Sequence, residues 1–190
     1  MKTTDKKYFI ELGKRNFLKT FLRKIFFLRP IVKKFRGKVL DIGCGFGDFL
    51  KLYSNACGID NNRFIVKFCK NKGLNCYFGS IYSIPFKNKS FDGVLCYNIL
   101  EHLENIEKAV IEIKSVLKHG GKLIIVVPIA KKTFKKDRTH RRFLTENNLI
   151  PILIKYGFKI EKINYFPFPF KILRERFYFS ELRIFAIKIK

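Results

Sequence analysis

No uninterrupted apolar run in this sequence reaches the roughly 18 to 20 residues that a membrane-spanning helix needs. The longest candidate, Leu123 to Ala130, is short and contains Pro128, so it reads as a buried strand. The opening MKTTDKKYF lacks the apolar stretch and small-residue cleavage site of a secretory leader, which predicts a cytoplasmic protein. Acidic residues are scarce as well, fifteen against forty basic ones, for a formal net charge of +25. Such a field attracts polyanions, so a nucleic acid stays open as a partner, as does an anionic membrane surface with the protein peripheral to it. A compositional bias toward Lys, Ile, Asn and Phe is the plainer account, although it would usually supply Glu along with Lys. Cysteines at C-x-x-C spacing are missing. The five present are Cys44, Cys57, Cys69, Cys76 and Cys96. An odd number at this spacing argues against a disulfide framework and a zinc site, and for small buried apolar side chains.

There is no internal repeat and no linker that would divide the 190 residues, and nearly half of them are apolar. One domain with a full core follows. Residues 1–37 read as a basic helical N-terminal cap. Leu18, Phe21, Leu22, Ile25 and Phe26 recur at helical spacing with Lys19, Arg23 and Lys24 between them, and the helix should end before Pro30. Residues 38–128 then alternate strand and helix. Strands are expected at 38–42, 56–59, 76–78, 91–96 and 122–127. Helices are expected at about 48–54, 63–71 and 106–117, the last one stopped by Gly120 and Gly121. Further on, Thr145 caps a helix toward Tyr156 that Pro151 should kink, with strands at 158–163 and 182–189. Strands separated by helices imply right-handed crossovers and a parallel sheet.

The decisive stretch is Val39-Leu40-Asp41-Ile42-Gly43-Cys44-Gly45-Phe46-Gly47-Asp48. An apolar strand runs straight into three glycines, which let the backbone turn sharply and let a ligand approach without meeting Cβ atoms. A dinucleotide fingerprint needs G-x-G-x-x-G and a pyrophosphate at the helix start. Here the spacing is G-x-G-x-G, and Asp41 stands where it would repel a pyrophosphate and attract a cationic ligand. Asp60, ending the second strand, suits a carboxylate accepting hydrogen bonds from ribose hydroxyls. An NAD-dependent oxidoreductase is disfavoured on the same spacing.

With those residues in view, the segment from Val39 to Val127 resembles the class I S-adenosylmethionine-dependent methyltransferases, near the group that includes quinone-biosynthesis methyltransferases. VLDIGCGFGDFL resembles the family's first motif and the Gly58-Ile59-Asp60 stretch its second. GSIYSIPFKNKSFDGVLCYNILEHL resembles the third and fourth, and LKHGGKLIIVVP the fifth-strand region. The resemblance implies a doubly wound, mostly parallel seven-stranded α/β sheet with the last strand antiparallel, and S-adenosylmethionine as cofactor. It also implies cofactor contacts at Asp41, Gly43, Cys44, Gly45, Gly47, Asp60, Asn61, Ser80, Ile81 and Asn98. One departure stands out: Ser80 occupies a position where the family often carries Asp for the adenine amino group.

Glu101-His102 reads as part of the helix entry and cofactor wall, with acid–base work as the alternative. His140 lies in a basic stretch after the fifth strand and is the candidate catalytic base, since its pKa is ordinarily about 6.5. Tyr165 to Phe170 carries two prolines and cannot be an internal strand. Packing against the sheet is the plainest account; the run could also wall a substrate pocket or form a greasy patch, and its aromatics, interleaved with Arg174 and Arg176, could stack on bases. The expected reaction is methyl transfer to an unidentified acceptor, a small molecule or glycan first, with RNA or a membrane-associated lipid next. A binding module that retains the fold without catalysis is the alternative of another class.

Overall fold

The computed structural model describes residues 6, 10, 23–130, 134, 137, 139–167 and 180–189. Seven strands form one sheet: β1 (Val39–Ile42), β2 (Ala56–Asp60), β3 (Cys76–Phe78), β4 (Phe91–Tyr97), β5 (Leu117–Pro128), β6 (Phe158–Phe166) and β7 (Glu181–Lys188). Their order is β3-β2-β1-β4-β5-β7-β6. The pairings from β3 through to β5 are parallel, and β7 runs antiparallel to both β5 and β6. The expected doubly wound sheet is the observed one. Helices α1 (Arg63–Asn71), α2 (Ile106–Val116) and α3 (Glu146–Lys155) cover its faces.

Alternation along the central strands sorts the core into two layers. Leu40, Ile42, Val94, Cys96, Leu123 and Ile125 join Ala109, Val110 and Ile113 of α2 and Leu149 and Leu153 of α3. Val39, Leu95, Ile124 and Val126 point the other way, onto Ile65, Val66 and Cys69 of α1 and onto Ile31 and Phe35. Each helix start is set by sequence. Asn62 Oδ1 accepts from Phe64 N–H and Ile65 N–H, and Asn105 Oδ1 accepts from Lys108 N–H.

Four local expectations differ from what is found. Residues 48–54 form successive turns rather than a regular helix, with Lys51 N–H bonded to Gly47 O and Leu52 N–H to Phe49 O. Gly47 has φ +68, so helical winding cannot start before Asp48, and β2 already begins at Ala56. Gly120 and Gly121 do not stop α2, which ends at Val116. They lie inside β5, where four residues of that strand oppose one of β4 between Phe91↔Leu117 and Gly93↔Lys122. Pro151 leaves α3 unbroken, because Asn147, whose carbonyl loses its donor, is exposed to solvent. Nor does Pro30 end the N-terminal helical segment. A π-helical stretch, Arg23–Leu28, passes into the turn Arg29–Val32 with Pro30 in its first positions, where no N–H is needed.

Phe26, expected on the inward face, is 56% exposed, while Leu28 is buried. Leu18, Phe21 and Leu22 lie outside the described residues, as do Phe168, Pro169, Phe170, Arg174 and Arg176. Tyr165 and Phe166 end β6, the outermost strand, and Pro167 follows directly after it.

Candidate functional site

The carboxyl ends of β1, β2, β3 and β4 lie side by side, and the loops leaving them hold the predicted ligand-binding residues. Gly43, Gly45 and Gly47 have φ of +70, +51 and +68. The turn is tied to β2 by Gly43 N–H and Cys44 N–H, which both donate to Ile59 O. Asp60 is buried at the end of β2. Its Oδ2 accepts from Gly45 N–H at 3.1 Å and its Oδ1 from Asn62 N–H at 2.9 Å. A carboxylate offers about four acceptor sites, so Asp60 can brace the turn and still accept from a ligand hydroxyl. Asp41 is buried one residue before the strand ends, and a Cβ built on Gly45 would meet nothing within 4 Å. The turn therefore faces open space, with carboxylates behind it.

The remaining predicted contacts follow β2, β3 and β4 in the chain. Ser80 Oγ accepts from Tyr82 N–H at 3.2 Å, which leaves its own proton free to donate. Ile81 is buried in the core layer of α2 and α3. Asn98 has φ +53 and is exposed just past β4, with its N–H on Val126 O. Asn61 is exposed, whereas its neighbour Asn62 is buried and used as the cap of α1.

Cys44 does more than occupy the turn. Its Sγ lies 3.4 Å from Cys76 Sγ, and Cys69 Sγ donates to Gly45 O at 3.2 Å. Hydrogen bonding from Cys44 pulls the Cys69 thiol down, and the same contact pushes Cys44 up.

His140 meets a partner that chain position does not suggest. Its Nε2 lies 3.9 Å from Glu101 Oε1 and 3.7 Å from Asp137 Oδ2, while its Nδ1 pairs with Phe134 O at 3.0 Å. The loop is fixed to the same residue through Arg141 N–H, which donates to Glu101 O at 2.8 Å. Both carboxylate oxygens of Glu101 are buried with no hydrogen-bond partner among the described residues. Burial pushes the Glu101 carboxyl up to about 8. Burial also holds the His102 imidazole down, and His140, 4.8 Å away between ring centres, lowers it further. Glu101 thus belongs with His140 as much as with the wall of the turn.

A second buried pair closes the far end of this edge. Arg183 Nη2 donates to Glu181 Oε2 at 2.8 Å, Tyr97 OH donates to Glu181 Oε1, and the guanidinium covers Phe166 at 3.9 Å. Phe27 stands edge-on to Phe166 and its carbonyl accepts from Arg183. The N-terminal segment is thereby held to β6 and β7. Sequence reasoning missed this group, because an Arg and a Glu inside an apolar strand carry no sign of pairing with each other.

A family model described as a methyltransferase domain matches residues 40–125. Two uncharacterized proteins of Methanocaldococcus jannaschii are 38% and 33% identical over 155 and 135 residues. Those matches take in 75% and 65% of this chain and 67% and 65% of theirs. A solved S-adenosylmethionine-dependent methyltransferase of Archaeoglobus fulgidus superposes with a TM-score of 0.76 at 25% identity, covering 89% of this chain and 94% of that one. The chain belongs to the S-adenosylmethionine-dependent methyltransferases. Its methyltransferase relatives include a mouse protein named "Probable tRNA methyltransferase 9B", 30% identical over 118 residues, 60% of this chain and 25% of that one. The chain thus spans about two thirds of the length of the archaeal relatives and a quarter of the mouse one. No helix among the described residues is long and apolar enough to cross a membrane.

Proposed function

We propose that this methyltransferase methylates an oxygen or nitrogen of its acceptor, with Glu101 taking the proton that the acceptor loses. The observation that carries this reading is the buried Glu101 carboxylate, without a hydrogen-bond partner among the described residues and 3.9 Å from His140 Nε2. A desolvated carboxyl raised to about 8 is, once ionised, a stronger base than an ordinary carboxylate, so transfer should speed up as the pH rises toward 8. His140 passes the proton outward to solvent, and the charge of Asp137, whose side chain is 46% exposed, favours the imidazolium on the way. His140 keeps its orientation through Phe134 O.

The residues around the turn fit S-adenosylmethionine. The open space at Gly45 admits a ligand against the backbone, Asp41 supplies negative charge for a cationic group, and Asp60 retains acceptor capacity for ribose hydroxyls. Gly43, Cys44 and Gly47 shape the methionine side, with Asn98 beside it. Ser80, Ile81 and Asn61 border the adenosine side. When bound, the cofactor supplies an electrophilic methyl group on a good leaving group, so catalysis here is chiefly positioning plus removal of one proton.

A small molecule or glycan is the acceptor we favour, because the Glu101 and His140 side chains are 1% and 7% exposed and only a slim group can reach them. RNA is the second reading, supported by the tRNA-methyltransferase names among the relatives and by the +25 charge. The test has two stages. Calorimetric titration of S-adenosylhomocysteine should show micromolar binding that Asp60→Asn abolishes, and no binding by folded protein would favour the non-catalytic module. Labelled S-adenosylmethionine is then incubated with a cell extract. Label in the small-molecule or glycan fraction supports the first reading, and label released by ribonuclease supports the second.

A further inference from the structure

We propose that Cys44, Cys69 and Cys76 form a thiolate site for one Zn²⁺ ion, directly behind the glycine-rich turn. The three sulfurs come from three separate places: the turn after β1, the last part of α1 and the first residue of β3. All three residues are buried, and their Sγ atoms lie within 4.8 Å of one another. Thiolates about 2.3 Å from a tetrahedral zinc stand roughly 3.8 Å apart. The Cys44–Cys76 separation of 3.4 Å and the overall limit of 4.8 Å bracket that spacing. Small movements of side chains already in place would bring the three onto one ion.

A fourth donor is at hand. The Gly45 carbonyl oxygen lies 3.2 Å from Cys69 Sγ and 3.8 Å from Cys44 Sγ, so it faces the same point as the sulfurs. Room for the Cys44 sulfur is built into β2, since a Cβ on Gly58 would stand only 2.6 Å from it. The two other cysteines provide an internal contrast: Cys57 and Cys96 are equally buried but are not part of the cluster. Three thiolates and one Zn²⁺ carry a net charge of −1, and each thiol releases its proton to solvent on binding. Because Cys44 sits between Gly43 and Gly45, the ion would fix the turn against α1 and β3 and tighten cofactor binding.

The experiment uses the full chain, reduced and stripped with a chelator, and titrates Co²⁺ followed by Zn²⁺. One equivalent of Co²⁺ should give sulfur-to-cobalt charge-transfer absorption and intense tetrahedral d–d bands, both bleached by Zn²⁺. X-ray absorption of the zinc form should then show three sulfur neighbours at about 2.3 Å. Cys69→Ser and Cys76→Ser should each weaken Zn²⁺ binding at least a hundredfold, while Cys57→Ala and Cys96→Ala should leave it within twofold. If the serine variants do not fold, the sulfur count on the unaltered protein decides alone. Absence of the charge-transfer band in folded, reduced protein overturns the proposal. So does zinc ringed only by nitrogen and oxygen, as it would be at Glu101, His102 and His140, which also lie close together.

Discussion

His140 Nε2 lies 3.9 Å from Glu101 Oε1, and the loop carrying the histidine hangs from the backbone carbonyl of that same glutamate. A buried carboxylate raised to about 8 makes stability depend on pH in a definite direction. Between the unfolded value near 4.5 and the folded value near 8, the native state keeps a proton that the unfolded chain has lost. Stability should therefore fall as pH rises through that window, at up to about 1.4 kcal/mol per pH unit. Glu101→Gln should flatten the dependence. Urea midpoints of the two proteins at several pH values across the window check it.

Replacing the relay should separate chemistry from binding. His140→Ala is expected to lower methyl transfer by a factor of about 10² to 10⁴. S-Adenosylhomocysteine affinity should stay within about threefold, because the turn and Asp60 are untouched. Label incorporation into the acceptor-containing fraction and calorimetry give the two readouts. A parallel loss of affinity would assign His140 to the cofactor pocket instead.

Gly45 and Gly58 should respond differently to the same added methyl group. At Gly45 the methyl meets nothing within 4 Å, so Gly45→Ala costs only the strain of φ +51, about 1–2 kcal/mol, and places an obstruction in the ligand's path. S-Adenosylhomocysteine binding should drop at least tenfold. At Gly58 the methyl would meet Cys44 Sγ at 2.6 Å and Cys44 Cβ at 2.7 Å, so Gly58→Ala is overpacked by about 1–3 kcal/mol. Calorimetry and thermal melts of both variants distinguish the two costs.

Arg183→Met should cost about 3–5 kcal/mol, since it strips the guanidinium from a Glu181 carboxylate that is 8% exposed. Tyr97 remains as one donor to Glu181 and limits the loss. Chemical denaturation measures it. The double variant Glu181→Gln with Arg183→Met should recover part of the stability, because no unpaired charge is left inside.

The strands and helices were legible because apolar periodicity is local. The Arg63–Asn71 helix and the Cys76–Phe78 strand match their expected bounds, with the glycines and Asp60 in the expected order. Local signals failed where a neighbour overrode them. Gly120 and Gly121 read as a helix stop but serve a bulge against β4, and solvent around Asn147 makes Pro151 tolerable. The Glu101–His140 pairing could not be read, because it depends on a loop folding back after the fifth strand. The convergence of Cys44, Cys69 and Cys76 was hidden for a similar reason. Their spacing argues against a metal site, yet a parallel sheet brings successive turn, helix end and strand start to one place.

The strand order has a consequence for biosynthesis. β7 is translated after β6 but inserts between β5 and β6, so during synthesis the edge of β5 stays unpaired until Glu181–Lys188 has left the ribosome. Until then β6 has no neighbour in the sheet, and Tyr97 has no Glu181 to meet. The nascent chain thus displays the Lys122–Pro128 border of β5 longest, and the charge of Lys122 at the start of that border guards against premature pairing with another chain.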